Sequence, residues 1–319
     1  HVVRYVDLLA APRARGGRVF ADLDGRFWES DAVVSPDAAT GPEGDCLGLV
    51  KDLDEHERYS KADSTYLGAK ETIDLAFDRA PGGSCGLVVA CRQTLMSTYL
   101  LYQAYAYMGN EVGHWFAQIE RGKVAQAQNP IQKILGGIEV LVPDSSGAWR
   151  VADVIAEYGP LATDVHLVPL GRRCLDPVRI RLRMTKGDWR IDYAALAALS
   201  RPVEPVRVQP YAALKDGRLD DTVLAVLRDP GQALTTLPGD AYVLMYHLPD
   251  TPVNYQLFLE SRGYYLEWIR REWIAEENPS LLAEMFFNPQ AALTRLAPEF
   301  KRVENGMEDS FWRSRYARQ

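Results

Sequence analysis

The sequence predicts a mainly β protein with α-helical parts, built as an antiparallel β-sandwich with an embedded aromatic helix and a C-terminal helical tail. Three observations predict this class. Short runs of alternating apolar and polar residues recur through the first 200 residues, with turn signals between them and no βαβ rhythm. One long apolar run of helical spacing interrupts these strands. The residues after about 256 carry short amphipathic patterns with prolines at first-turn positions.

The strands are recognised by their period of two. Glu71 to Asp78 alternates, with Ile73, Leu75 and Phe77 on one face. Further strands are predicted at 86–91, 138–142, 149–154, 165–168, 178–184, 189–193 and 241–248. Because these strands are short and joined by turns, we expect antiparallel pairing in a jelly-roll-like sandwich.

The clearest pair of strands is VRIRLRMTKGDWRIDYAAL, residues 178–196. Lys186-Gly187 predicts a tight turn, so we expect a hairpin in which Met184 opposes Trp189 and Leu182 opposes Ile191. A bulge at Gly187 would shift this register by one residue. The arginines Arg179, Arg181 and Arg183 fall on the outer face of this predicted hairpin.

The same stretch resembles the closing strands of galactose-binding-like jelly-roll modules, in which an apolar ladder ends in a strand of the form W-x-I-D. The resemblance covers about 20 residues and rests on a general sandwich pattern. It implies a sandwich that binds carbohydrate or protein, and it assigns no site.

The embedded helix is predicted at about 94–121. Residues 94–108 carry apolar side chains at helical spacing, and Gly109-Asn110 ends the run before a second piece with Trp115. Arg92, Gln93 and Gln103 interrupt the apolar run, which excludes a membrane span of about 20 apolar residues. Tyr99, Tyr102 and Tyr105 form a ridge that suits either core packing or an aromatic binding face.

Composition changes along the chain predict three consecutive parts. Residues 1–200 are expected to form the sandwich domain with its inserted helix. Pro202, Pro205 and Pro210 then mark a boundary before a small β-containing segment at 201–255. Residues 256–319 are expected to form the helical tail, which is rich in aromatic residues such as Trp268 and Trp273.

The net charge, the first residue and the cysteines limit the classes of function and the compartments that suit this sequence. The net charge is −7, which predicts a poor nucleic-acid binder, because phosphate contacts need clustered positive charge. The first residue is His1, not Met, which suits a mature protein whose leader has been removed and equally a trimmed chain. The cysteines Cys46, Cys85, Cys91 and Cys174 are disulfide candidates, and four buried free thiols are the alternative. Cys85 and Cys91 are too far apart along one strand to bond each other.

Metal sites have little support in the sequence. The five histidines include no closely spaced pair, and Asp22 and Asp24 form only a fragment of a calcium loop that an Asp-Gly turn also explains. His1 could chelate copper through its amine and ring, as in lytic polysaccharide monooxygenases, which are secreted β-sandwiches. Apart from His1 and the fold class, the chain does not resemble that family. No cofactor is expected.

We therefore expect a non-catalytic extracytoplasmic binding or scaffold subunit that docks to a partner protein or a glycan. The alternative is a secreted carbohydrate-active enzyme, either an acid/base glycosidase with acids such as Asp188 and Asp192 or a copper oxidase using His1. The candidate binding residues are aromatic or arginine side chains, namely Tyr99, Tyr102, Tyr105, Trp115, Arg179, Arg181, Arg183, Trp268 and Trp273.

Overall fold

The computed structural model of the 319-residue chain describes residues 1–13, 16–121, 130–156, 159–237, 239–250, 254–264 and 270–315. The strands are β1 (Val2–Pro12), β2 (Arg18–Ala21), β3 (Phe27–Val34), β4 (Ala38–Gly41), β5 (Gly44–Asp45), β6 (Arg58–Tyr59), β7 (Lys70–Phe77), β8 (Ser84–Gln93), β9 (Ile138–Pro143), β10 (Trp149–Ile155), β11 (Asp164–Arg173), β12 (Val178–Thr185), β13 (Trp189–Val203), β14 (Val206–Val208), β15 (Ala212–Lys215), β16 (Arg218–Leu219), β17 (Leu234–Thr235), β18 (Tyr242–Met245) and β19 (Tyr255–Tyr264).

The helices are α1 (Met96–Met108), α2 (Val112–Glu120), α3 (Pro130–Leu135), α4 (Asp221–Arg228), α5 (Arg271–Ala275), α6 (Pro279–Phe287) and α7 (Pro289–Arg315), with short 3₁₀ turns at Leu47–Leu49 and Gly109–Glu111. Every registered strand pair is antiparallel in the described residues. The predicted class, a mainly β sandwich with an embedded helix and C-terminal helices, is confirmed. None of the helices in the described ranges combines the length and the apolar character that crossing a membrane requires.

The chain divides into two compact units. Unit 1 comprises His1–Ala32, Leu199–Trp268 and Ala317–Gln319, and unit 2 comprises Val33–Ala198 and Ile269–Tyr316. The three consecutive parts expected from composition stay a prediction.

Unit 1 is built around β1, which pairs with β19 over ten positions and also with β14 and β17. A second small sheet has the order β16-β15-β18, and α4 packs on it through Val223 and Leu227. The side chain of Asp220 caps α4 by accepting a hydrogen bond from the Val223 N–H at 3.0 Å. Through its pairing with β1, the segment 255–264 forms strand β19 and is not the start of the predicted helical tail. The local sequence pattern does not reveal this partner, because β1 is distant in the sequence.

The predicted strand at 241–248 is present but shorter and more exposed than its apolar sequence predicts. Only Tyr242–Met245 pairs, and Val243 is 61% exposed. The reason is its position at the edge of a three-stranded sheet: Tyr242 and Leu244 pack with α4 on one face, and the alternate residues Val243 and Met245 are exposed on the other.

Unit 2 contains the sandwich. One sheet has the order β10-β9-β12-β7-β4-β5. The other contains β11, β8 and the part of β13 up to Ala198, with β6 paired to β13 on its far side. The predicted alternation of β7 is confirmed, since Ile73, Leu75 and Phe77 are all buried. β8 is buried from Cys85 to Gln93, so both of its faces are covered.

The hairpin predicted at residues 178–196 is wrong in its pairing. The turn at Lys186-Gly187 exists, but β12 pairs with β7 and β9 whereas β13 pairs with β8 and β6, so the two strands belong to different sheets. An alternating pattern defines an apolar row on each strand, and that row is buried equally well across a sandwich as along a hairpin. The ladder of Met184 opposite Trp189 is consequently replaced by two rows buried in separate sheets.

Gly187 makes this crossing possible. Its φ is +85°, and a Cβ at this position would lie 2.4 Å from the backbone of Ala62. Only glycine combines the left-handed conformation with such a close backbone approach.

Helices α3, α6 and α7 of unit 2 share one apolar core with α1. Met96, Tyr99 and Leu100 of α1 pack with α3, α6 and α7, and Phe300 of α7 lies with its ring centre 5.0 Å from that of Tyr99. Pro279 and Pro289 each occupy the first turn of a helix, as predicted, and Asn278 caps α6 through the Leu281 N–H.

Candidate functional site

A groove of about 1220 Å³ runs across the sheet of unit 2 that contains β11, β8, β13 and β6. Its lining comes from these four strands, from the loops that precede β6 and β11, and from the last turns of α7. Every second residue from 53 to 61 contributes, although only Arg58–Tyr59 in this segment is a strand and Glu55 has a left-handed backbone. The lining residues are Leu53, Glu55, Glu57, Tyr59, Lys61, Arg92, Leu161, Ala162, Thr163, Val165, Arg190, Asp192, Asn305, Glu308, Asp309 and Arg313.

Two arginines face each other at the centre of the groove. Arg92 on β8 is in register with Arg190 on β13, and Arg190 is in register with Tyr59 on β6. Like charges directly opposite on a sheet destabilise it, so this pair requires compensation. The Arg190 guanidinium carbon lies 3.9 Å from the centre of the Tyr59 ring, which is the geometry of a cation–π contact.

Glu57 neutralises this arginine pair. Its two carboxylate oxygens accept from the Nε and Nη2 of Arg92, both at 2.5 Å, and Oε2 also lies 3.4 Å from Nη1 of Arg190. The Arg92 and Glu57 side chains are 10% and 9% exposed, so water screens their interaction weakly. A bidentate arginine–carboxylate pair is both strong and geometrically defined.

Glu308 connects the last helix to the same network. Its Oε2 accepts from Nη2 of Arg190 at 3.1 Å, and its Oε1 accepts from the backbone N–H of Leu95 at 2.9 Å, just before α1. The carboxylate thus satisfies one of the N–H groups at the start of α1 while it completes the charge balance of Arg190.

Asp192 lies in the groove without an arginine or lysine partner among the described residues. Its Oδ1 accepts from the backbone N–H groups of Glu55 at 3.0 Å and Asp54 at 3.3 Å, and the residue is 2% exposed. Burial raises the pKa of the Asp192 carboxyl, and the charges of Glu57 and Asp54 raise it further, against the lowering effect of the two N–H donors.

The backbone beside Asp192 is strained. Glu55 has φ +69°, a left-handed conformation that costs a residue with a Cβ about 1–2 kcal/mol. This conformation brings the Glu55 N–H to Asp192 and leaves the Glu55 side chain at the exposed rim of the groove.

The predicted aromatic residues lie elsewhere in unit 2. Tyr99 is buried against Phe300, and the rings of Tyr102 and Tyr105 lie 5.6 and 5.3 Å from that of the buried Trp273. Trp115 is half-buried on α2. The structure therefore brings Tyr102, Tyr105 and Trp273 together, with the Arg270 guanidinium 4.6 Å from the centre of the Tyr102 ring. Trp268 lies outside the described residues, and the role of the others in binding stays a prediction.

The predicted arginine stripe lies on β12, on the sheet that does not form the groove. Arg181 donates to both oxygens of Asp74 at 2.6 and 2.8 Å, and Arg183 pairs with Glu139. Arg179 lies 3.6 Å from Asp78. Each of the three is thus engaged by an acid of a neighbouring strand or of the turn after β7, and the binding role predicted for them stays untested.

Two of the four disulfide candidates are bonded to each other. Cys85 at the start of β8 forms a disulfide with Cys174 after β11, with their Cα atoms 6.0 Å apart. Cys46 and Cys91 are free and buried, which corrects the expectation that all four could pair. Burial raises the pKa of both free thiols, which disfavours the reactive thiolate form.

The weak metal candidates are held by other contacts. Asp22 accepts from the side chains of Arg26 at 2.9 Å and Trp28 at 3.0 Å, and Asp24 pairs with Arg26. The His1 amine donates to the Thr236 carbonyl at 2.7 Å. Within the described ranges, no three His, Cys, Asp or Glu side chains come together in a way that could hold a metal ion.

Sequence reasoning missed most of the groove. Asp192 was considered as an acid candidate, but Glu57, Arg92 and Glu308 were not, because they are far apart in the chain and only the sheet and α7 bring them together. One signal was present: Arg190 and Asp192 place charges on alternate positions of an otherwise apolar strand.

Comparison of the chain with protein-family models, with curated proteins and with solved structures returns no match.

Proposed function

We propose that this chain is a non-catalytic, extracytoplasmic binding subunit that docks a partner protein in the groove of unit 2. The observation that carries the proposal is the groove itself, which combines exposed apolar side chains with charges that are already arranged in a fixed network. Such a mixture of apolar and polar lining is typical of recognition surfaces.

The hydrogen bonds of Glu57 and Glu308 favour a binding function over a catalytic one. Both oxygens of Glu57 accept from Arg92, and both oxygens of Glu308 accept hydrogen bonds from Arg190 or the Leu95 N–H. Donors of the fold thus engage both oxygens of each carboxylate, whereas a general base must accept its proton from the substrate. Their arrangement suits a rigid recognition surface.

A polypeptide suits the groove better than a stacked sugar. Sugar rings bind proteins by stacking on exposed aromatic faces, and the aromatic ring in this groove belongs to Tyr59. Arg190 already stacks on that ring at 3.9 Å, and the Lys61 ammonium lies 5.2 Å from its centre. The Cys85–Cys174 disulfide supports the extracytoplasmic part of the proposal, because disulfides persist in oxidising compartments.

Site-specific photo-cross-linking in the native host tests the docking site. A photoreactive amino acid is placed at Leu161 or Val165 in the groove, and at Val151 on the other sheet of unit 2 as the matched exposed control. We expect one polypeptide adduct from both groove positions and none from Val151. Adducts of equal yield at all three positions, or none from the groove, would contradict the proposal.

One observation favours a second function, an acid/base glycosidase. Burial raises the pKa of Asp192, and Glu57 lines the same groove; a carboxyl with a raised pKa near a second carboxyl is the combination that glycoside hydrolysis uses. If this function is correct, Asp192→Asn abolishes the release of reducing sugar from a panel of polysaccharides. The copper form of the alternative depends on His1, and metal analysis of the purified protein tests it.

A further inference from the structure

We infer that the groove of unit 2 selects an extended partner segment in which lysine or arginine side chains alternate with apolar ones. This inference rests on the proposed docking function and deepens it by naming the chemistry of the partner. Three features of the described residues lead to it: the charge that is left over after internal pairing, the position of the apolar side chains, and the spacing of the lining.

The charges at the centre of the groove are balanced internally. Glu57 and Glu308 offset Arg92 and Arg190, so these four groups leave little net charge for a ligand. Lys61 donates to the Asn305 amide oxygen at 2.6 Å, which holds its ammonium at the α7 side of the groove. The central network therefore shapes the groove, but it does not decide whether a ligand should be positively or negatively charged.

The groove is acidic beside the loop that precedes β6, and this part is called the acidic end. Asp192 and Glu55 both line it, the Glu55 backbone N–H donates to Asp192 at 3.0 Å, and no ion pair to either carboxylate occurs in the described part of the chain. Asp54 follows on the same loop, where its carboxylate pairs with His56 at 3.2 Å. A buried carboxylate without a counter-cation is costly, so a ligand ammonium or guanidinium that reaches Asp192 supplies what the fold does not.

Apolar side chains flank this acidic end. Leu53, Leu161 and Val165 line the groove and are 50%, 40% and 41% exposed. They offer contacts to apolar ligand side chains between the cationic ones. Because Glu57, Tyr59 and Lys61 line the groove at every second position around β6, an extended ligand with the same period of two matches this part of the lining.

Fluorescence anisotropy with matched peptides tests the inference. The probes are a labelled octapeptide of alternating lysine and valine and its counterpart of alternating glutamate and valine, each titrated with the whole chain at low and moderate salt. We expect the lysine peptide to bind at least about tenfold more tightly than the glutamate peptide, with affinity that falls as salt rises. Equal affinity for the two peptides would overturn the inference.

Single-residue variants test whether the lysine peptide binds at the acidic end of the groove. Asp192→Asn and Glu55→Gln should each weaken binding of the lysine peptide several-fold, whereas Asp78→Asn should not, because Asp78 is an exposed carboxylate outside the groove. Glu55 lies at the exposed rim, so its variant keeps the test valid if Asp192→Asn fails to fold. Unchanged affinity in Glu55→Gln and in any folded Asp192→Asn would contradict the inference.

The two proposals fail separately. If the groove positions cross-link a partner but the lysine peptide binds no better than the glutamate peptide, the docking function stands and the basic partner is wrong. If the lysine peptide binds as expected but Leu161 and Val165 capture no polypeptide in the host, the chemistry of the groove is correct and the docking function is wrong.

Discussion

Arg92 and Arg190 lie directly opposite each other on neighbouring strands, and Glu57 holds the pair together by binding Arg92 with both carboxylate oxygens and approaching Arg190 at 3.4 Å. This arrangement converts a repulsive cross-strand pair into a network that reaches α7 through Glu308. The charged centre of the groove therefore depends on one carboxylate from a loop and one from a distant helix.

Glu57→Gln should destabilise the protein by about 3–5 kcal/mol, because it leaves two opposed, largely buried arginines without their shared carboxylate. The free energy of unfolding in urea measures the effect. Asp74→Asn is the matched control, since it breaks the more exposed pair with Arg181 and should cost below about 1 kcal/mol. Similar losses in the two variants would show that the central network has no special importance.

Glu55→Gly should stabilise the protein by about 0.5–1 kcal/mol, because glycine adopts φ +69° without the steric cost that Glu55 carries. Glu55→Ala is the control, since it also removes the carboxylate but retains the strained backbone. Thermal and urea unfolding of both variants measure the difference. A gain of the same size in the alanine variant would attribute the effect to charge and not to backbone strain.

His166 should make stability depend on pH between about 6.5 and 4. Burial lowers the pKa of His166 to about 4 in the folded protein, whereas in the unfolded chain the imidazole takes up a proton near its ordinary value of 6.5. The unfolded state binds more protons in this window, so stability falls as the pH falls, by roughly 3 kcal/mol in total.

The variant His166→Gln isolates this effect, and urea unfolding at several pH values measures it. The difference in unfolding free energy between wild type and variant should shrink or reverse as the pH falls from 6.5 to 4. His114→Gln, at an exposed histidine, is the control and should leave the pH profile unchanged. If the unfolding free energies of wild type and His166→Gln change in parallel with pH, the pH dependence does not arise from His166.

The Cys85–Cys174 bond closes a loop across a sequence separation of 89 residues, so Cys85→Ala with Cys174→Ala should destabilise the protein by about 2–5 kcal/mol. Alkylation followed by mass measurement, without reduction, should detect two thiols in this chain, and only after denaturation, because Cys46 and Cys91 are buried. Four thiols in the oxidised, denatured protein would rule the disulfide out.

Local patterns were sufficient to predict several strands and helices of the sandwich, but not β4, β5, β6 or α3. The alternation in β7 and β12, the helical spacing of α1 and the first-turn prolines of α6 and α7 all lie in short windows of sequence. The same patterns gave wrong predictions where the pairing partner of a strand is distant in the sequence. β19 looked like a helix because its partner β1 lies some 250 residues away, and β12 and β13 looked like a hairpin because the turn between them is short.

By itself, the sequence determined the type of many segments and that the fold is mainly antiparallel, because side-chain period and turn residues act over a few positions. Only the tertiary structure decided which strands share a sheet, which cysteines bond and which charges meet in the groove. Glu57, Arg92, Arg190 and Glu308 come from four separate segments, and their interaction depends on strand pairing and on the packing of α7. An apolar row is buried by any of several partners, so the pattern alone does not choose among them.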